Sequence, residues 1–258
     1  RAPIDVAAPP ETKPEAKEKM SKENGRRASA KAVDASAAQL DFAAADPAPI
    51  APLPGDELPL EERIARCRAA AERAEACRAC SLGAMRTRAV YGDGSLTARI
   101  VFVGEAPGAD EDRQGVPFVG RAGQLLNKMI EAMGFKREEV YICNTLKCRP
   151  PENRDPEPKE KAACRPFLIE QIEVIRPSIL VALGSHAAVY LTGKQQSLAK
   201  LRQGSHLYHG VEVMATYHPA YLLRDPGMKP KAWEDMQRLV ARYNELFPRD
   251  RRQAWKKI

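Results

Sequence analysis

Four cysteines, Cys77, Cys80, Cys148 and Cys164, fall in two pairs spaced C-x2-C and C-x15-C. Thiolates gathered at one point repel one another unless a cation offsets their charge, so such a set reads first as a zinc site or an iron-sulfur cluster. Between the pairs lies Gly104-Glu-Ala-Pro-Gly108, a glycine-rich turn that follows a short apolar run. The turn lacks both the G-x-G-x-x-G spacing and the Lys-Ser/Thr pair of nucleotide-phosphate loops, and it suits a small planar ligand better. Polar and aromatic residues follow similar apolar runs elsewhere. Glu105, Glu111, Asp112 and Phe118 come after the first run, Asn144 ends a second, and Tyr217-His218-Pro219 ends another. Each alone is weak, because a strand-end Asn is commonly a cap and a lone His before Pro is commonly structural. Together they describe a cleft in which carboxylate, aromatic ring, amide and imidazole converge.

That convergence requires a particular scaffold. Arg99 to Val103, Val140 to Cys143, Ile179 to Leu183 and Val211 to Thr216 are short apolar runs that predict four strands. Leu60 to Ala76 spaces Leu60, Ile64, Cys67 and Ala71 three or four apart, and Ala122 to Met133 does the same with Leu125, Leu126, Met129, Ile130 and Met133. Both predict helices, as do Pro158 to Ile175, with its early proline, Ser185 to Leu191, and Lys231 to Phe247. Alternating strands and helices predict an α/β fold, a three-layer α/β/α sandwich around a mostly parallel four-stranded sheet. In such a sheet, ligands sit beyond the carboxyl ends of the strands, where the polar residues lie.

Composition divides the chain of 258 residues into a disordered tail over 1–58, a folded domain over 59–248 and a basic end over 249–258. The tail is built mostly of Ala, Pro, Glu, Lys and Asp and reads as a tether, with no partner implied. It carries 8 Lys and Arg against 10 Asp and Glu, whereas the other 200 residues carry 33 against 24. The positive excess belongs to the folded part and points toward a polyanion, most simply nucleic acid. No apolar stretch reaches the ~20 residues that cross a bilayer, so no membrane partner is expected. Six cysteines in a chain of this composition read as reduced or metal-bound thiols, which predicts a soluble protein of the cytoplasm.

Several longer motifs occur in one order. They are Gly104-Glu-Ala-Pro-Gly108 with Glu111-Asp112, Gly115-x-Pro-Phe-Val-Gly120-x-Ala-Gly-x-Leu-Leu126, Asn144-x-x-Lys-Cys-Arg-Pro-Pro151 with Asn153-Arg-Asp155, and Tyr217-His-Pro-Ala-Tyr-Leu-Leu-Arg224. Over residues 60 to 247 the chain resembles the family 4 uracil-DNA glycosylases, the iron-sulfur branch of the uracil-DNA glycosylase superfamily. The resemblance implies a monomeric repair enzyme that flips uracil out of DNA and hydrolyses its N-glycosidic bond, leaving an abasic site. It also implies a 4Fe-4S cluster on Cys77, Cys80, Cys148 and Cys164, with a structural role. Cys67 and Cys143 fall outside that pattern and read as small buried residues.

By the same analogy, Phe118 stacks on the flipped base, Asn144 reads its edge, and the backbone of Gly104, Ala106 and Gly108 adds contacts. His218 is the expected stabiliser of the negative charge that develops on departing uracil. Other branches place an Asp where Ala106 stands, so water activation here falls to Glu105, to Glu111 or to water held by the backbone. Either Glu could instead brace a loop. Leu222 or Leu223 is the expected apolar wedge that fills the space of the extruded base, beside Arg224. Lys147, Arg149, Arg154, Arg202 and Arg224 are expected phosphate contacts.

Two rival readings remain. A zinc-dependent nucleic-acid-binding module would account for the cysteines and the charge, but it leaves Phe118, Asn144 and His218 without a task. A relative that forms a covalent adduct with uracil-DNA carries a basic, His-containing insertion between the third and fourth cysteines. The interval Arg149 to Ala163 here is short and has no His.

Overall fold

The computed structural model describes residues 58–254. The tail expected over 1–58, apart from Leu58, and residues 255–258 of the basic end lie outside the described residues. In chain order the elements are α1 (Leu60–Ala76), α2 (Leu82–Met85), β1 (Asp93–Gly94), β2 (Ile100–Gly104), α3 (Ala109–Gln114), α4 (Arg121–Ala132), β3 (Tyr141–Asn144), α5 (Pro158–Ile175), β4 (Ile179–Leu183), α6 (Gly184–Thr192), α7 (Leu198–Leu201), β5 (His206–Tyr208), β6 (Val211–Thr216), α8 (Pro219–Arg224) and α9 (Lys229–Leu246).

The sheet has six strands in the order β1-β3-β2-β4-β6-β5, not the expected four. The four expected strands form its parallel centre, and the two additional ones are antiparallel edges. Neither edge carries an alternating apolar pattern. Strand β1 is only Asp93-Gly94, and β5 reaches β6 through His209-Gly210, both at positive φ, in a two-residue hairpin turn.

Alternation along the central strands sorts their side chains into two cores. Ile100, Phe102, Ile179 and Val181 face α4 and α9, packing on Leu126, Met129, Ile130, Trp233, Met236 and Leu239. Val101, Val103, Leu180, Ala182, Val213 and Ala215 face α5 and α6, against Leu168, Ile172, Ala187 and Ala188. The result is the expected α/β/α layering. Among the described residues no helix is long and apolar enough to cross a membrane.

Helix α1 forms where expected but buries a different face. Leu60 and Ile64 are exposed, and Arg63, Cys67, Ala70 and Ala74 turn inward. The guanidinium explains the rotation. Arg63 donates to the carbonyls of Val174 (2.9 Å) and Ile175 (2.7 Å), which are orphaned at the end of α5, and to Leu96 O (3.1 Å). A cation at a helix carboxyl end also meets its negative pole. Residues beyond α9 are docked too, since Arg252 pairs with Glu139 and sits over the Phe135 ring.

Candidate active site

Strand order reverses about β2, with β3 on one side and β4 on the other. That is the point where an open sheet leaves a crevice. A cavity of about 710 Å³ opens there, lined among others by Glu105, Phe118, Asn144, Gly184, His186 and His218. Its walls therefore come from the carboxyl ends of β2, β3, β4 and β6.

Phe118 is 6% exposed and adopts a left-handed φ of 53°, a strained conformation for an aromatic residue. Two groups hold its loop. Glu111 Oε1 accepts from the backbone N–H groups of Val119 and Gly120, both at 2.9 Å, and Arg137 donates to the carbonyls of Pro117 (2.6 Å) and Phe118 (3.3 Å). Beneath the ring, Gly104 lies so close that a Cβ there would sit 2.3 Å from Asn144 Oδ1 and 2.7 Å from Phe118 Cζ. Ala106 and Gly108 line the same cavity.

Asn144 is 1% exposed, and its Oδ1 is buried without a partner. An unpaired buried acceptor is costly and calls for a ligand donor. The backbone of Asn144 is fixed from behind by Lys147, whose Nζ donates to Asn144 O (2.7 Å) and Gln171 Oε1 (2.6 Å). Lys147 is therefore wholly buried and cannot meet a phosphate, contrary to expectation. Arg202 is likewise engaged, by Asp235 and Tyr217. Arg224 lines the cavity, Arg154 lines it while pairing with Glu160, and Arg149 donates to Asn153.

His218 caps α8, and its Nδ1 accepts from the Ala220 N–H at 3.1 Å. That bond leaves the ring proton on Nε2. Burial, followed by the positive charges of Arg224 and His186, pushes its pKa down to about 4. The ring is thus a neutral donor, 5.6 Å from the Phe118 ring. Gly184, at φ +89°, gives it room, since a Cβ there would lie 2.9 Å from His218 Cβ.

Glu105 is a quarter exposed, with its pKa raised by burial and held back by the charge of His186. His186 escaped the sequence reading although it follows β4 as Asn144 ends β3, so the same strand-end reasoning would have found it. The wedge pair separates: Leu222 is fully buried in the core, whereas Leu223 is 43% exposed. Leu222 cannot enter a duplex from there.

The four cysteines gather beside this cavity. Cys148 and Cys164 pack with Leu82 and Leu146, Cys80 and Ala106 lie against them, and Cys77 and Cys80 are near enough to raise the Cys148 pKa by charge. Burial pushes Cys164 up to about 11. Donors nonetheless face the sulfurs: Arg86 Nη1 is 2.7 Å from Cys148 Sγ, and Lys147 N is 3.2 Å from Cys164 Sγ. Four clustered thiols suit a zinc ion and an iron-sulfur cluster alike. Cys67 and Cys143 are buried elsewhere, as expected.

A mostly parallel sheet with a cavity at its switch point, walled by an aromatic ring, an unpaired amide oxygen and a neutral imidazole, is an α/β domain whose pocket suits a small planar polar ligand. Residues 91–237 match the family described as Uracil DNA glycosylase superfamily. A type-4 uracil-DNA glycosylase of Thermotoga maritima is 52% identical over 152 residues, which span 58% of this chain and 79% of that protein. Its counterpart from Archaeoglobus fulgidus is 43% identical over 171 residues, 63% of this chain and 86% of that protein. A type-5 uracil-DNA glycosylase of Thermus thermophilus is 32% identical over 151 residues, 51% and 68% of the two chains. The chain belongs to the uracil-DNA glycosylase superfamily, within its type-4 family.

Proposed function

We propose that the protein removes uracil from DNA by hydrolysing the N-glycosidic bond of a flipped nucleotide, leaving an abasic site. The observation that carries this reading is the buried, unpaired Oδ1 of Asn144 facing a cavity beside Phe118 and a neutral His218. A base edge that offers a donor to Oδ1 and an acceptor to Nδ2 is that of uracil, and cytosine presents the opposite pattern. Phe118 stacks on the ring. As the bond to the sugar breaks, negative charge collects on the base, and the Nε2–H of His218 stabilises it without giving up a full proton. Glu105 is the carboxylate chosen to hold water or to face the positive sugar, because one oxygen of Glu111 already braces the Phe118 loop. Leu223 with Arg224 fits the wedge and its neighbouring phosphate contact.

A duplex with one uracil opposite guanine, incubated with the protein and then treated with alkali, should break at the uracil, while the matching cytosine duplex stays whole. Intact uracil DNA would sink the reading. Gly104→Ala tests the geometry: displacing Asn144 and Phe118 should slow cleavage about 100-fold, the cost of a misplacement near 1 Å, while thermal melting shows the fold retained.

The donor set of four clustered thiols, together with the likeness to type-4 uracil-DNA glycosylases, supports a 4Fe-4S cluster on Cys77, Cys80, Cys148 and Cys164. Bound there, it would supply no step of the hydrolysis but would tie the end of α1 to the segment after Asn144 and the start of α5. Cys164→Ser should abolish visible absorbance and acid-labile sulfide and lower the melting temperature. One zinc per chain and no sulfide in the wild type would overturn the assignment.

A further inference from the structure

Glu105, Asp155 and His186 come from three separate segments, the turn after β2, the loop before α5 and the first turn of α6, and meet at the mouth of the cavity. His186 Nδ1 lies 3.1 Å from Glu105 Oε1, and its Nε2 lies 3.9 Å from Asp155 Oδ1. One ligand atom from each of the three residues lies within 4.8 Å of the other two, so the two carboxylates converge on the ring. The closer contact is the one to Glu105, whereas the one to Asp155 is beyond hydrogen-bond reach.

We propose that His186 is a positioning residue that restrains the Glu105 carboxylate at the mouth of the base cavity. Its consequence for catalysis rests on the proposed function, whereas the pairing itself does not. Glu105 Oε1 is buried and makes no aligned hydrogen bond, so the 3.1 Å contact with His186 Nδ1 is what restrains that oxygen. The same contact opposes the effect of burial, which raises the pKa of Glu105.

Other charged groups surround the trio without replacing His186. From α5, Lys161 favours the charged form of Glu105, and together with Arg165 it lines a groove on the far side of His186. From the loop before α5, Arg154 is taken by Glu160 and Glu157. From α8 come Arg224 and the neutral His218. Of these groups, His186 stands first among those that lower the Glu105 pKa.

Two measurements test the proposal. His186→Gln should slow single-turnover cleavage of uracil DNA about 10-fold, within the coupling range of residues in direct contact, and shift the acid limb of the pH-rate profile to higher pH. In a Glu105→Gln background the same change should cost almost nothing more, because a group that acts through Glu105 has nothing left to position. Equal losses in both backgrounds, or an unmoved acid limb, would overturn the proposal. The second measurement needs no substrate. Carbon-13 NMR of the glutamate carboxyls should show the Glu105 titration moving to higher pH in His186→Gln, and an unchanged titration would overturn the pairing even in a protein that proved to cleave nothing.

Discussion

Replacing His218 with alanine is expected to slow uracil removal by about 10²–10³-fold, the usual cost of deleting one preplaced donor from a site of developing charge. Binding of uracil DNA should weaken far less, since the interaction matters when charge has moved onto the base. The pH dependence separates this mechanism from one using a protonated imidazole. With its pKa pushed down to about 4, His218 is neutral from pH 5 upward, so the rate should carry no ionisation near 6.5 that disappears in the alanine variant. A wild-type rate that falls as pH rises through 6.5, and a variant that lacks that fall, would establish a cationic donor instead.

The same buried ring makes a prediction about stability. Its folded pKa, about 4, lies below the unfolded value of 6.5, so between those two values the unfolded chain binds more protons than the native one. The contribution is fully present above pH 6.5 and is lost as pH falls toward 4, by up to roughly 3 kcal/mol at 1.36 kcal/mol per pKa unit. Urea unfolding of wild type and His218→Ala should therefore converge, or cross in favour of the variant, as the solution is acidified. A stability difference independent of pH would place the native pKa near its ordinary value.

The residues that gave this site away share a feature that one chain can display: each follows a short apolar run. Gly104, Asn144 and His218 stand at strand ends, and period and polarity alone locate strand ends in a parallel sheet. His186 obeys the same rule and was missed because it lies within a predicted helix, where a polar residue draws no notice. What cannot be read locally is how distant groups engage one another. Lys147 and Arg202 look like phosphate contacts in sequence, yet a buried amide and a buried carboxylate, Gln171 and Asp235, claim them. Arg63 turns α1 onto an unexpected face because carbonyls more than 100 residues away need a donor. Leu222 and Leu223 are adjacent, so pattern could not decide which enters the core; helix α8 sets the first inward and leaves the second exposed. The edge strands failed for a simpler reason, being too short to show a period.

Specificity should prove as localised as catalysis. Asn144→Asp is expected to collapse the preference for uracil over cytosine. In the wild type the amide donates from Nδ2 and accepts at Oδ1, and cytosine opposes a donor to the first and an acceptor to the second. Both mismatches would leave buried polar groups unpaired, which is how a hydrogen-bonding site reaches discrimination on the order of 10⁴. A carboxyl group in this position, as enclosed as the amide it replaces, is held neutral by burial. One oxygen then carries a proton and the other accepts, and rotation about the carboxyl bond interchanges them. The variant can therefore pair with either base edge. Uracil cleavage should drop, because a protonated acid must adopt one of two orientations in a pocket built for one, while cleavage at cytosine should become measurable for the first time. The duplexes with uracil or cytosine opposite guanine read both changes directly. If cleavage at uracil fell and cytosine stayed untouched at every enzyme concentration, Asn144 would support the pocket without reading the base, and discrimination would have to come from the backbone of Gly104 to Gly108.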